Sequence, residues 1–211
     1  MIPKACTLAL EDGLRVEGFS FGAETSAAGE VVFNTALTGY PESLTDPSYR
    51  GQILVLTYPL VGNYGVPDSV RDENGLLKFF ESDRVHISGL VISDYSSKYS
   101  HWNAKKSLSD WLKEHNIPGI YGVDTRALTR RIRENGALPG KIINGGADLP
   151  FRDPDKTNLV AEVSAKERAV YGSGKHKILL VDCGVKNNII RCLLEYDTTV
   201  TRVPWDCDLS K

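Results

Sequence analysis

A strand pattern, a helix pattern and a second strand pattern follow one another near the end of the chain, and this succession constrains the fold most. Residues 177–181 read KILLV, residues 187–196 have helical spacing of apolar side chains, and residues 199–203 read TVTRV. Two strands joined through a helix form a βαβ unit with parallel strands. Because a single βαβ unit cannot cover both faces of its sheet, we expect 177–211 to be the truncated start of a domain.

The first 146 residues predict a domain with a mainly β core and packed helices. Residues 6–10 and 14–19 flank the turn Glu11-Asp12-Gly13 and predict a hairpin. Three further segments have the β-branched density of buried strands: 29–34, 52–57 and 86–93. Two helices are predicted, one capped by Ser107 and running to His115, the other running from Asp124 or Thr125 to Asn135 before Gly136. The fold class is therefore mixed α/β.

A change in composition after Ile143 predicts a domain boundary. Glycine, proline and aspartate become frequent there, and apolar periodicity is absent until Lys177. Such segments commonly connect domains. We therefore predict a domain over 1–146, a linker over 147–176 and a second, incomplete domain over 177–211.

The overall composition argues against several classes of partner. The 211 residues carry a formal net charge of −2, so no large positive field exists to attract nucleic acid or an anionic membrane. The longest apolar run, 52–61, is far shorter than the ~20 residues of a membrane span. The N-terminus lacks a signal-peptide pattern, which favours the cytoplasm. The four cysteines and four histidines are widely spaced, so we expect neither disulfides nor a metal site.

Turn sequences rich in hydroxyl and amide groups are concentrated in 29–65. Among them, TDPSY at 45–49 could present the Ser48 hydroxyl to a polar ligand, since aspartate before proline begins a turn and a serine hydroxyl both donates and accepts. Loops held by a rigid sheet are where binding residues collect. Considered without any relative, the pattern favours a structural role for this turn over a binding role.

Several ordered stretches resemble one family. LEDG at 10–13, Phe21-Gly22, the long run 29–65, SHWNA at 100–104 and GVDTRALTRRIRENG at 122–136 are similar to the N-terminal domain of the carbamoyl-phosphate synthetase small subunit. KILLVDCGVKNNIIRCLL at 177–194 resembles the opening of that family's class I glutamine amidotransferase domain. The resemblance covers nearly the whole chain.

The resemblance implies a function that is divided between two polypeptides. The small subunit hydrolyses L-glutamine, and a large subunit, separate or fused, uses the ammonia with bicarbonate and two ATP to make carbamoyl phosphate for arginine or pyrimidine synthesis. It implies a β/β/α swivelling-type first domain, a flavodoxin-like second domain, a cytoplasmic heterodimer, and ATP and Mg²⁺ on the large subunit only. Ser48 corresponds to the family's glutamine-binding serine.

The same resemblance places the nucleophilic cysteine, its histidine and glutamate, and the oxyanion glycines beyond Lys211. We therefore expect no catalytic residue and no cofactor within this chain, and no activity from it alone, since a thiol nucleophile needs an adjacent base and oxyanion donors. Two alternatives remain: a non-catalytic docking module for the large subunit, and a separate hydrolase that uses Cys183 with His176.

Three smaller motifs have alternative interpretations. Gly172-Ser173-Gly174-Lys175 lacks the residues and the strand-to-helix context of a phosphate loop, so a linker role is favoured. Asp124 and Arg126 are interpreted as a helix-capping pair, with an ion pair at a subunit interface as the alternative. The aromatic cluster of His101 and Trp102 with Tyr95 and Tyr99 is interpreted as core packing, with an interface anchor as the alternative.

Overall fold

A closed seven-stranded barrel forms the larger part of the computed structural model, which describes residues 4–146 and 148–209. The barrel strands are β1 (Ala5–Leu10), β2 (Arg15–Ser20), β3 (Ala27–Asn34), β4 (Gln52–Leu56), β7 (Gly89–Val91), β10 (Gly119–Tyr121) and β11 (Leu138–Asn144). Their order around the barrel is β1-β11-β3-β4-β7-β10-β2. The predicted boundary positions 147 and 211 lie outside the described residues.

In the described residues, shorter strands and five α-helices surround the barrel or form the second part of the chain. The remaining strands are β5 (Leu60–Val61), β6 (Val66–Pro67), β8 (Asp94–Tyr95), β9 (Ala104–Lys106), β12 (Ala169–Tyr171), β13 (His176–Asp182) and β14 (Thr198–Pro204). The helices are α1 (Tyr40–Leu44), α2 (Leu108–Glu114), α3 (Thr125–Asn135), α4 (Leu159–Val163) and α5 (Asn187–Leu194), with 3-10 turns at Pro47–Tyr49 and Pro154–Lys156. Within the described residues, none of these helices has the length and apolar character needed to cross a bilayer.

The predicted hairpin and the predicted strand over 52–57 are confirmed. β1 and β2 pair antiparallel, and Gly13 takes a φ of 93° in the turn between them. β4 pairs parallel with β3 and with β7, and its side chains are buried on both faces. Ile53 and Val55 join one core cluster, whereas Leu54 and Leu56 join the other. Burial on both faces explains why this strand is continuously apolar instead of alternating.

The strand that closes the barrel was not predicted. β11 pairs with β1 on one side and with β3 on the other, although it contains Pro139 and Gly140. A Cβ on Gly140 would lie 2.4 Å from Val31 Cγ2 and 2.9 Å from Leu10 Cδ2. The absent side chain therefore lets two buried neighbours approach, which is one reason for glycine inside a strand.

Ile53 provides a test of packing inside the barrel. It is fully buried, so Ile53→Val should lower the free energy of unfolding by about 0.5–1.5 kcal/mol, as loss of one core methylene usually does. Ile189→Val removes the same group from a side chain that is 44% exposed and should change little. Urea unfolding of both variants measures the difference, and equal effects would show that this part of the barrel is loosely packed.

Both predicted helices of the first domain are confirmed together with their caps. Ser107 Oγ accepts a hydrogen bond from Asp110 N at 3.0 Å, and an Asp124 carboxylate oxygen accepts one from Ala127 N at 2.9 Å. Asp124 therefore caps α3, as predicted. α2 buries Leu108, Trp111 and Leu112, while α3 buries Leu128 and Ile132 and turns its arginines outward. The predicted strand over 86–93 is shorter than expected, because only Gly89–Val91 pairs in the barrel.

The predicted βαβ unit is also confirmed. β13 and β14 pair parallel over seven residues, and α5 packs on them through Ile190, which is fully buried like Val200. β12 adds an antiparallel edge to β14. The segment predicted as a linker thus contains secondary structure: a 3-10 turn, α4 and β12. Alternating apolar periodicity is weak there because these elements are only three to five residues long.

Candidate functional site

The turn at residues 45–49, the Ser48 turn, has a backbone held by hydrogen bonds, whereas the Ser48 hydroxyl forms none within the described residues. A 3-10 turn, Pro47–Tyr49, begins after Asp46, whose Oδ1 accepts a hydrogen bond from Ser48 N at 2.9 Å. Thr45 Oγ1 donates to Pro41 O at 2.8 Å and accepts from Glu81 N at 3.0 Å. Ser48 itself is exposed, and its hydroxyl makes no hydrogen bond within the described part of the chain. A fixed, unpaired hydroxyl is suited to binding a polar ligand.

A lysine from the second part of the chain lies beside this turn. Lys186 Nζ is 3.2 Å from Asp46 Oδ2, and Lys186 is the residue directly before α5. The lysine is 41% exposed, so the ion pair itself contributes little to stability. The ion pair matters for the position of Lys186, because it holds the ammonium group beside the same carboxylate that accepts a hydrogen bond from Ser48 N. Sequence reasoning missed Lys186, since 140 residues separate it from Asp46.

The segment 80–86 connects the Ser48 turn to the start of α5. Asn187 N donates to Glu81 O at 2.8 Å, and Asn187 Nδ2 donates to Phe80 O at 3.1 Å. On the other side, Ser82 Oγ donates to Thr45 O at 2.6 Å. One short segment therefore binds both the turn and the helix, so their relative position is set by direct hydrogen bonds.

His86, at the end of this segment, is buried and fixes the segment through its backbone N–H and its ring. It is 1% exposed, its N–H donates to Leu44 O at 2.9 Å, and its Nε2 lies 3.0 Å from Ser82 Oγ. Because Ser82 Oγ already donates to Thr45 O, we assign the Nε2–H tautomer, and Nδ1 is then a buried acceptor without a partner in the described chain. Burial lowers the pKa of His86 to about 4, with smaller contributions from Arg84 and Arg50.

Acid should therefore destabilise the chain before most carboxylates titrate. His86 binds a proton near pH 6.5 in the unfolded state but only near pH 4 in the folded state. The stability present above pH 6.5 is therefore lost progressively as pH falls from 6.5 to 4. We expect a loss on the order of 2 kcal/mol, which His86→Gln should largely abolish. Urea midpoints across this pH range measure it. His176→Gln, at an exposed site, should retain the loss, and a wild-type stability that is flat over this range would contradict the assignment.

The turn at 182–186 packs against the Ser48 turn. Asp182 is fully buried, and its Oδ1 accepts hydrogen bonds from Gly184 N at 2.9 Å and Val185 N at 2.8 Å. Gly184 has a φ of 102°, and a Cβ there would lie 2.9 Å from Val163 Cγ2 and 3.2 Å from Pro47 Cβ. Only glycine suits both this backbone conformation and this close approach.

The Cys183–His176 hydrolase hypothesis is wrong. His176 begins β13, whereas Cys183 directly follows its last residue, Asp182. At about 3.3 Å per residue the strand separates the two by roughly 20 Å, far beyond hydrogen-bond reach. Cys183 is exposed, and its thiol forms no hydrogen bond within the described residues. The segment 172–175 joins two strands, so the prediction that it is not a phosphate loop is confirmed.

The interpretation of Trp102 as a core residue is also wrong. Trp102 is 84% exposed, in contrast to Tyr95, which stacks on Phe21 with ring centroids 4.6 Å apart. The four aromatic residues therefore do not form one packed cluster. Among residues 4–146 and 148–209, no group of three or more His, Cys, Asp and Glu side chains is arranged to hold a metal ion.

The geometry defines a class of site: a hydroxyl-bearing turn on a barrel, set against the first helix of a βαβ unit. Residues 8–142 match the family described as carbamoyl-phosphate synthase small chain, CPSase domain. The chain belongs to this family.

Relatives extend the similarity over nearly all of the chain. The arginine-specific small chain of carbamoyl phosphate synthase from Saccharomyces cerevisiae is 50% identical over 95% of this chain and 50% of its own length. Carbamoyl-phosphate synthase [ammonia], mitochondrial, from Homo sapiens is 52% identical over 97% of this chain and 14% of its own length. Multifunctional protein pyr1-3 from Dictyostelium discoideum is 52% identical over 98% of this chain and 10% of its own length. The chain thus spans half or less of these relatives.

Proposed function

We propose that this chain supplies a glutamine-binding part of the small subunit of a glutamine-hydrolysing carbamoyl-phosphate synthase. The observation that carries the proposal is the Ser48 hydroxyl, exposed and unpaired within the described residues, on a turn held by Asp46 and 80–86 against the start of α5. In the complete enzyme, ammonia released from L-glutamine is combined with bicarbonate and ATP on the large subunit.

The chemistry of glutamine suits the groups beside this turn. Glutamine carries an α-carboxylate, an α-ammonium and a side-chain amide, and the Ser48 hydroxyl can donate to or accept from any of them. Lys186 Nζ, 3.2 Å from Asp46 Oδ2, places an ammonium group with three N–H donors beside the same turn. The chain alone should bind glutamine weakly and not hydrolyse it, since Cys183 has no imidazole partner within the described residues.

The domain organisation of the family fits the observed elements. We propose a β/β/α swivelling-type domain over 1–146, a connecting segment over 147–176, and the start of a flavodoxin-like class I glutamine amidotransferase domain over 177–211. The closed barrel with α2 and α3 supports the first assignment, and the parallel pair β13 and β14 around α5 supports the last. In the middle segment, the Arg50–Glu162 ion pair at 2.5 Å joins α4 to the barrel domain.

The same proposal names partners and cofactors. A large synthetase subunit, separate or fused, is the partner, and it alone carries ATP and Mg²⁺. The complex is a cytoplasmic heterodimer or a multifunctional polypeptide, and it engages neither nucleic acid nor membrane. The names of the yeast and Dictyostelium relatives connect the family with arginine-specific and multifunctional enzymes, so the product serves arginine or pyrimidine synthesis.

A choice of nitrogen source tests the proposal. The name of the human relative specifies ammonia, so glutamine use has to be measured rather than assumed. The product of the complete reading frame, together with the large subunit, should make carbamoyl phosphate from glutamine and also from ammonium chloride. Synthesis from ammonium chloride alone would contradict the proposal, as would glutamine hydrolysis by the 211-residue chain without the rest.

A further inference from the structure

A concave surface lies on the barrel domain, and Ser48 is not among the residues that line it. A cleft of about 410 Å³ opens between the loop 38–42 and the turn 101–104. Its principal lining side chains are Glu42, Tyr64, Phe79, His101 and Trp102. The volume lies within the ~300–1,000 Å³ typical of ligand sites. The wall includes four rings, those of Tyr64, Phe79, His101 and Trp102.

The walls of this cleft are held in place before any ligand arrives. Tyr64 stacks on Tyr40 with ring centroids 4.2 Å apart, and its hydroxyl accepts hydrogen bonds from Gly39 N at 2.9 Å and Tyr40 N at 3.0 Å. The His101 ring lies edge-on to Tyr64 at 6.3 Å and tilted to Trp102 at 5.4 Å. A ligand would therefore lose little free energy in ordering these rings.

Among the described residues, Glu42 is the one acidic side chain that lines the cleft. It forms no ion pair with any basic side chain of the described chain. Although much of the side chain is exposed, burial of its carboxyl raises the pKa of Glu42, and the nearby Glu81 carboxylate adds to this effect. An unpaired carboxylate among aromatic faces is complementary to a cation, which gains both Coulomb attraction and cation–π contact.

Apolar surface beside the cleft favours a protein over a small free cation. Leu37 is 70% exposed, Leu60 42% and Tyr58 39%, and these three line a neighbouring depression that shares Thr38 and Tyr64 with the cleft. A single small cation could not cover both depressions. A contiguous exposed apolar area next to a charged pocket is typical of protein interfaces.

We propose that this cleft receives an arginine or lysine side chain of the large synthetase subunit, with Trp102 and Glu42 as its anchors. The surface around Leu37 would cover the apolar neighbours of that basic residue. Because the partner is taken from the proposed function, this inference rests on it. A tryptophan that is 84% exposed and lines the same cleft as an unpaired carboxylate is then explained as one side of an interface.

The affinity of the two subunits tests the proposal. The complete small chain and the large chain, expressed as separate polypeptides, are titrated by calorimetry in the absence of glutamine. Trp102→Ala should weaken binding at least ~30-fold, as interface hot spots do, and Glu42→Gln roughly tenfold. Tyr196→Ala, which removes a 72% exposed aromatic residue on the βαβ unit, should leave the Kd within twofold. Thermal unfolding of each variant confirms folding.

The outcomes separate this inference from the proposed function. Values of Kd within twofold of wild type for both Trp102→Ala and Glu42→Gln would overturn the inference, even if glutamine-dependent synthesis is intact. Loss of affinity in these variants, without any glutamine-dependent synthesis, would retain the inference and reject the function. Saturable quenching of tryptophan fluorescence by millimolar methylguanidinium in wild type but not in Trp102→Ala, with subunit affinity unchanged in the variants, would show a small-molecule site and also overturn it.

Discussion

Replacing Ser48 with alanine should lower kcat/KM for glutamine by about 10- to 100-fold in the complete enzyme. A hydrogen bond to a charged ligand group contributes about 1.5–3 kcal/mol. Here the lost group is an exposed hydroxyl on a turn whose backbone is held by hydrogen bonds to Asp46 and Ser82. Because the proposed role of Ser48 is to bind glutamine and not to attack it, the effect should fall mainly on KM. Steady-state ammonia release measures both constants.

Two comparisons make the Ser48 result specific. Ser69→Ala removes another exposed serine hydroxyl of the same domain and should leave glutamine kinetics unchanged. Carbamoyl phosphate synthesis from ammonium chloride should be the same in Ser48→Ala and wild type, since that route bypasses glutamine. A KM for glutamine within twofold of wild type would remove Ser48 from the binding site and with it the main support for the proposed function.

The largest effect on stability is expected at Asp182. Its carboxylate is fully buried and accepts hydrogen bonds from three backbone amides and from the guanidinium of Arg202. Asp182→Ala leaves those donors unpaired, including a half-buried charge, and breaking such a pair costs about 3–5 kcal/mol. The free energy of unfolding from urea denaturation measures the loss. Asp206→Ala, at an exposed carboxylate, should change it by less than ~0.5 kcal/mol.

The pH dependence of Asp182 follows from the same contacts. Burial raises the pKa of this carboxyl, but hydrogen bonds from Val185, Ala165 and Gly184, together with Arg202, outweigh burial and lower it below 3.8. A carboxyl whose pKa is lower in the folded state than in the unfolded state stabilises the fold at pH values above the unfolded-state pKa. This stabilisation is lost as pH falls below that pKa. Wild type should therefore lose stability below about pH 4 through this group, and Asp182→Ala should lose less. Equal acid sensitivity in both would contradict the assignment.

Local sequence signals predicted the elements whose stability is local. Ser107 and Asp124 identified two helix starts, and the observed caps agree. The alternation of 177–181, 187–196 and 199–203 predicted a parallel βαβ unit, which the β13–β14 register confirms. In each case, the hydrogen bonds that define the element are made by residues close together in the chain, or the connection allows only one arrangement.

Elements stabilised by distant partners were missed. β11 contains proline and glycine, and it is a strand because β1 and β3 supply its hydrogen bonds from more than 100 residues earlier in the chain. The segment 147–176 looked unstructured because its short elements depend on contacts such as Arg50–Glu162 and β12–β14. Propensity is a weak guide wherever tertiary pairing determines the structure.

By itself, the sequence determined that this chain contains a mixed α/β domain followed by a parallel βαβ unit, because periodicity and caps depend on neighbouring residues. It also directed attention to Ser48 through the TDPSY motif. Only the tertiary structure decided that Lys186 lies 3.2 Å from Asp46, that His86 is buried beneath the turn, and that Trp102 is exposed. Those facts depend on which distant surfaces meet when the barrel closes, and no local pattern encodes that choice.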